Sequence, residues 1–241
     1  MTGSDLLAWL TGESFRGVPG IPELVVEHLV LSAAALGLAL ALAVPPALAL
    51  GHLGRGGTVA INVANAFRAV PAFGLVLLAF TLVGFSLPLL VVVFALIGVA
   101  PIFTNTYVGI RSVDADVNDA AAGMGLSGWQ RLRQVEIPLA SPVIMAGVRT
   151  AAVNIVATVT LAALVGFDGL GRPLLNGLAQ GPSISSGARA LVLVGAGLVA
   201  AVSIGAEVSL GLVERRVVPP GLRDRTRRAA DDVVRERGQP S

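Results

Sequence analysis

Apolar positions in this chain come in long unbroken blocks, not in the short alternations of a half-buried strand. A helix needs about 20 apolar residues to cross the hydrocarbon core of a bilayer. Five blocks reach that length: Leu29 to Leu50, about Gly57 to Gly84, about Leu87 to Tyr107, Pro138 to Gly166, and Gly187 to Val213. Arg68 and Pro71 interrupt the second block and raise a count of six if it splits into two short segments. Pro45 and Pro46 predict a kink or stop near the end of the first. Between the third and fourth blocks lies a polar interval, Ile110 to Ile137, which reads as short helices held at the membrane surface by the flanking spans. The expectation is an all-α membrane protein with about five spans.

Composition supports this pattern. Of 241 residues, 54% are hydrophobic and 13% are charged, and mean hydropathy is +0.81, more apolar surface than a water-soluble fold of this size can hide. All 17 basic residues are Arg, and eight of them fall between Arg215 and Arg237. With five spans the two ends lie on opposite sides of the membrane. Placing the basic end in the cytoplasm also puts Arg55, Arg111, Arg131 and Arg133 there, against Arg16, Arg172 and Arg189 outside, as the positive-inside rule expects. That divides the chain into an extracytoplasmic segment 1–21, a membrane domain 22–213 with the polar loop 110–138, and a basic cytoplasmic tail 214–241. Asp5, Glu13, Arg16 and Glu23 argue against a signal peptide in the first 23 residues.

Several enzyme classes drop out. Zero cysteines exclude a disulfide scaffold and a thiol nucleophile, and two isolated histidines, His28 and His52, make no zinc set. Without Lys there is neither a P-loop lysine nor a Schiff base. Leu126-Ser127-Gly128-Trp129-Gln130 has the look of an ATPase LSGGQ signature, but no phosphate-binding GxxxxGK[ST] accompanies it. Gly195-Ala196-Gly197 approximates a dinucleotide fingerprint inside a span, where small residues mean close helix packing. No catalytic residue and no metal site is expected.

The polar interval is the most informative part. Asp114 or Asp116 can cap a first short helix, Asp119 to Gly123 offers a face almost free of side chains, and Gly125 allows a turn. A second stretch, Gly128 to Val135, would put Trp129 and Leu132 along one face, with Pro138 ending it before the fourth span. Asp119-Ala120-Ala121, three residues, Gly125, nine residues and Val135-Glu136-Ile137-Pro138 reproduce the spacing EAA-x3-G-x9-I-x-L-P. This resembles the EAA motif of the permease subunits of binding-protein-dependent ABC importers, with Asp119 for Glu, Val135 for Ile and Ile137 for Leu. Asn105 to Ile110, Pro142 to Ala151, Thr160 to Gly166 and Gly169-Leu170-Gly171 narrow the resemblance to the osmoprotectant branch, over about Pro22 to Val213. Phe167-Asp168 departs from the small residues usual there.

The resemblance implies a type I, MetI-like permease fold, with Asp119, Ala120, Ala121, Gly125, Val135, Ile137 and Pro138 in the helix that docks on an ATPase subunit. It implies a second permease subunit, identical or different, and an extracytoplasmic binding protein in the same bilayer-embedded assembly. ATP would be bound by the ATPase, so this chain needs no cofactor, and no nucleic-acid partner is implied. Substrates would be quaternary amines such as glycine betaine, choline or carnitine; the alternatives are a methionine-like amino acid in the same machinery, or a secondary transporter. Arg68, Arg149 and Glu207 are ionisable groups within spans and cost about 2.5 to 3.5 kcal/mol each unless paired or wetted. Arg68 and Arg149 lie roughly 15 Å deep at 1.5 Å per residue. With Tyr107 they are the candidates for a pathway or salt-bridged gate; the other reading makes Arg149 a structural tie and Glu207 interfacial. The tail is either an anchor or a sensor of anionic lipid and ionic strength.

Overall fold

The structure is a computed structural model that describes residues 3–14, 17–57, 59, 61, 62, 66, 71–180 and 186–218. Its elements are α1 (Gly3–Thr11), α2 (Ile21–Leu53), α3 (Ala72–Val83), α4 (Leu87–Arg111), α5 (Ala115–Gly123), α6 (Gly128–Arg131), a π turn (Leu132–Glu136), α7 (Ile137–Val159), a 3₁₀ turn (Thr160–Val165), α8 (Gly171–Leu178) and α9 (Ser186–Val217). Among the described residues, four helices are long and apolar enough to cross a membrane: α2, α4, the run Gly128–Val165 and Gly187–Arg216. The second apolar block is described chiefly by the shorter apolar helix α3, which begins directly after Pro71. Arg68 and residues 219–241 of the tail lie outside the described residues.

Small residues at four-residue spacing explain how the bundle closes. Ala35, Ala39, Ala43, Ala47 and Gly51 form a buried stripe along α2, and α4 lies against it. A Cβ on Gly98 of α4 would come within 3.1 Å of the Ala39 side chain and 2.8 Å of Ile155, so α4 is wedged between α2 and α7 at backbone distance. Gly147 of α7 repeats this: its Cβ would meet the Pro101 carbonyl at 2.9 Å. Such close approach replaces the hydrophobic drive that lipid cannot supply between helices. Phe94, Ile102, Leu31, Ile155 and Val76 fill the shared core. Outside it, Val26, Val30, Leu42, Leu78, Val92, Leu193, Ile204 and Val208 stay exposed, as lipid-facing positions require.

Three prolines do not end a helix where they stand. The helix α2 runs uninterrupted through Pro45 and Pro46 to Leu53 and ends at Gly54, whose φ of 66° is left-handed. Stopping at the prolines would orphan four carbonyls at membrane depth, which costs more than the bonds two prolines remove. Nor does Pro138 separate the polar loop from the fourth span. Helix α6 passes through the π turn, where the Ile137 N–H donates to the Leu132 carbonyl, straight into α7. A wider turn directly upstream accommodates the N–H that Pro138 lacks. Near the other end of α7, where it gives way to the 3₁₀ turn, buried His28 donates from Nε2 to the Val156 carbonyl at 2.9 Å.

The N-terminal segment packs onto the far end of this bundle. Trp9 donates from Nε1 to the Pro19 carbonyl at 3.1 Å and is buried with Val18, Leu24, Leu170 and Leu191. Gly195 lets α9 approach α8, its Cβ position lying 3.2 Å from Pro173 and 3.1 Å from Leu174, whereas Gly197 meets nothing. The glycines inside that span are thus half explained by packing.

Candidate functional site

The polar loop folds as two capped helices. Asp114 caps α5 by accepting from the Asp116 N–H at 2.9 Å. The helix ends where Gly125, at φ 85°, turns left-handed, with Gly125 N–H donating to the Ala122 carbonyl and Leu126 N–H to the Ala121 carbonyl. That pair of bonds is the Schellman arrangement, in which glycine relieves the Cβ clash. Ser127 then opens α6 as a capping box: its N–H donates to Gln130 Oε1 at 2.8 Å, and the Gln130 N–H donates to Ser127 Oγ at 3.4 Å. The LSGGQ look-alike is therefore a helix start.

Burial sorts the loop into a root and a face. Ala121 is 2% exposed and points inward, while Asp119, Ala120, Ala122 and Gly123 face outward. Trp129 and Leu132 do not share a face. Leu132 is buried with Ile110 and Ala140, whereas Trp129 is 67% exposed and Met124, which the sequence did not single out, 76% exposed. An exposed indole and an exposed thioether thus flank Gly125 and Ser127, next in sequence to the nearly bare stretch of α5. Val135, Ile137 and Pro138 are half-buried where the loop enters the bundle.

Deeper in the molecule, α7 and α9 meet through charge. Arg149 of α7 pairs with Glu207 of α9, and its Nη1 donates to Glu214 Oε2 at 2.7 Å. Glu207 and Glu214 are two helical turns apart on one face of α9, so one guanidinium fork reaches both. Helix α9 continues to Val217, and Glu214 is paired within the bundle. A cavity of about 410 Å³ opens beside the pair, lined by Ala146, Arg149, Thr150, Val153, Asn154 and Glu207. Tyr107 is elsewhere, its ring lying against Gly57 and leaving no room there for a Cβ. The structure thus brings Arg149 and Glu207 together, leaves Tyr107 apart, and does not describe Arg68.

Sequence reasoning missed Glu214 and also Glu136. Glu136 is 4% exposed, and His52, in the last turn of α2, sits 2.8 and 2.9 Å from its two carboxylate oxygens through Nδ1. The seven-residue spacing of the two α9 glutamates was available as a signal. Nothing local pointed to a pair 84 residues apart.

Residues 30–219 match the family described as the binding-protein-dependent transport system inner membrane component. The chain belongs to that family. The permease is 33% identical over 198 residues to the glycine betaine/carnitine/choline transport system permease protein OpuCB of Bacillus subtilis, covering 81% of this chain and 88% of that protein. It is 34% identical over 200 residues to the carnitine transport permease protein OpuCB of Listeria monocytogenes (82% and 88% covered), and 33% identical over 208 residues to the osmoprotectant import permease protein OsmW of Salmonella typhimurium (84% and 94%). In fold it resembles an inward-facing structure of the MetNI methionine ABC transporter, with TM-score 0.69 at 18% identity over 91% of this chain and 100% of that one. The permease is a multi-pass membrane protein of MetI-like fold. The family match includes both the loop and the Arg149 cluster.

Proposed function

We propose that this permease forms the membrane pathway of an ATP-driven importer for quaternary-amine osmoprotectants of the glycine betaine, carnitine and choline type. One observation carries the substrate class: identity of about one third, over four fifths of the chain, to permeases named for those compounds. The likeness to a methionine transporter is one of fold and favours no amino acid. In this reading the chain catalyses no reaction. A separate ATPase binds and hydrolyses ATP, a second permease subunit completes the path, and an extracytoplasmic binding protein delivers the substrate. Residues 1–21 face outward, 22–213 carry the pathway, and the tail beyond the bundle is cytoplasmic.

The loop is the dock. Asp119, Ala120, Ala122 and Gly123 give a surface that another backbone can approach closely, while Met124 and Trp129 supply apolar contact. Ala121, Val135, Ile137 and Pro138 serve from behind, as the root that keeps that surface in place. When two ATPase subunits close on ATP, the docked loops move with them and the spans rock between inward-facing and outward-facing states.

Arg149, Glu207 and Glu214 form the candidate gate. Two carboxylates on one guanidinium leave one net negative charge beside a cavity whose other walls include Thr150 and Asn154. That sign suits passage of an alkylammonium cation. Gly125→Val tests the dock: a β-branched residue at φ 85° costs about 1 to 3 kcal/mol of backbone strain, and that strain falls on the loop's turn. The variant is expected at normal level in the membrane with radiolabelled glycine betaine and choline uptake at background. Normal uptake would remove the loop from the coupling role.

A further inference from the structure

The loop is joined covalently to α4 at its start and to α7 at its end, so a movement imposed on it reaches those two spans through the chain itself. The first long span, α2, has no such link, yet it packs against α4. Besides the packing of Leu48 against the cluster that holds Leu132, what ties it to the loop is the side-chain pair His52–Glu136. Among the described residues this is the ion pair between α2 and the loop.

Three features show that the contact is built. Glu136 lies on the same side as Leu132 and Ala140, in the apolar cluster that also holds Ile110 and Leu48, where an unpaired carboxylate would be costly. A carboxylate accepts, so His52 must carry its proton on Nδ1, and that one N–H lies within hydrogen-bond reach of both oxygens. On the other side of the imidazole, a Cβ on Gly128 would come 3.2 Å from Nε2, so the first residue of α6 is one that leaves the ring its space. The ring is thereby held between the start of α6 and the π turn. It stands in the last turn of α2.

We propose that His52–Glu136 is the joint through which displacement of the docking loop is passed to α2, and that Glu136 and His52 are positioning residues for the transport cycle. This rests on the reading of the loop as the ATPase dock. Without the joint, α4 and α7 would still follow the loop, but α2 would lag and the two access states would no longer exchange as a unit. ATP would be hydrolysed with little substrate moved.

The test uses the full complex of permease, ATPase and binding protein in proteoliposomes, with uptake, ATP hydrolysis and ATPase retention measured together. His52→Ala and Glu136→Ala are expected to retain the ATPase and to hydrolyse ATP, while uptake per ATP falls about ten- to a hundredfold, the range of coupling energies between linked sites. His52→Asn, whose amide nitrogen takes the place of Nδ1, and Glu136→Gln, which still accepts, are expected to keep at least half of the wild-type ratio. If the alanine variants do not insert, His52→Gln replaces them, because its nitrogen sits one bond too far out; Asn should then couple and Gln should not. An unchanged ratio in His52→Ala, or equal ratios for Asn and Gln, would overturn the joint while the docking reading stands. A wild-type complex that neither retains the ATPase nor shows ATP-dependent uptake would overturn the docking reading, and the joint with it.

Discussion

Two groups of charged side chains stand at helix junctions of this permease, and they are built on opposite principles. His52 and Glu136 are matched one to one, and the carboxylate is buried among apolar side chains at the root of the loop. Arg149, Glu207 and Glu214 are mismatched one to two, half exposed, and open on a cavity between α7 and α9. A closed, hydrogen-bonded pair transmits position, because separating its members leaves a buried carboxylate without its donor. An open cluster with charge to spare can exchange partners with something that passes. On the proposed reading, ionisable side chains thus make a mechanical joint in one place and a stretch of pathway in the other, and burial and stoichiometry are what distinguish them.

The largest effect is expected at the open cluster. Arg149→Ala would leave two carboxylates with no countercharge in the inner part of the bundle, and on insertion scales one charge there costs about 2.5 to 3.5 kcal/mol. Because these groups are half exposed, water absorbs part of that cost and insertion should survive. Uptake is expected to drop about a hundredfold with the permease still detectable in the membrane. An Arg149→Glu/Glu207→Arg double variant that transports better than either single change would support the pair as a gate. No recovery at all would make Arg149 a structural tie instead.

Next in size is Trp129→Ala. The indole is 67% exposed and makes no core contact, so stability should be unaffected, in contrast to the buried neighbours Leu132 and Glu136. Loss of a large exposed aromatic from an interface is expected to cost about 2 kcal/mol, hence roughly thirtyfold weaker retention of the ATPase. Measured by copurification in detergent, full retention would move the dock away from Met124 and Trp129.

The two groups differ in how much of them is legible in the sequence. Hydropathy records where apolar residues accumulate, and so the long spans and the polar interval follow from it directly. Caps and turns depend on neighbours within a few residues, which is why Asp114 and Gly125 fall where their types predict. Arg149 and Glu207 stood out because charge inside a span demands a partner, but Glu214 was assigned to the tail since hydropathy had already faded there. Glu136 was hidden inside a motif defined by its neighbours, and His52 looked isolated because its partner is remote in the chain. The prolines misled in the same manner. Propensity treats Pro45, Pro46 and Pro138 as breaks, but the demand for paired backbone at membrane depth and an inserted π turn override them.

Glu214→Gln sharpens the comparison by changing stoichiometry alone. Arg149 keeps Glu207, the amide of Gln still accepts from Nη1, and the charges of the cluster become matched one to one. If the spare charge draws alkylammonium cations, choline uptake should fall about three- to tenfold, a change of roughly 0.7 to 1.4 kcal/mol, while zwitterionic glycine betaine is affected less. Raising the salt concentration should shrink the wild-type advantage for choline and leave the variant nearly flat. Equal losses for both substrates would mean that the second carboxylate only positions Arg149.

The smallest effect is expected at the loop's own scaffold. Ser127→Ala removes one of the two reciprocal bonds that start α6 and typically costs about 1 kcal/mol of helix stability. The bond is long at 3.4 Å and exposed, and the Gln130 carboxamide still accepts from the backbone N–H of residue 127, so the loss should sit at the low end. Hydrogen exchange at the Gln130 and Arg131 amides should quicken by about two- to threefold, which is what about 0.5 kcal/mol allows. Uptake per ATP should hardly change, because the His52 ring and Glu136 keep the root of the loop in register whether or not its first turn frays. A Ser127→Ala variant that uncoupled transport as strongly as His52→Ala would place the mechanical weight of the loop on its local caps and take it away from the buried pair.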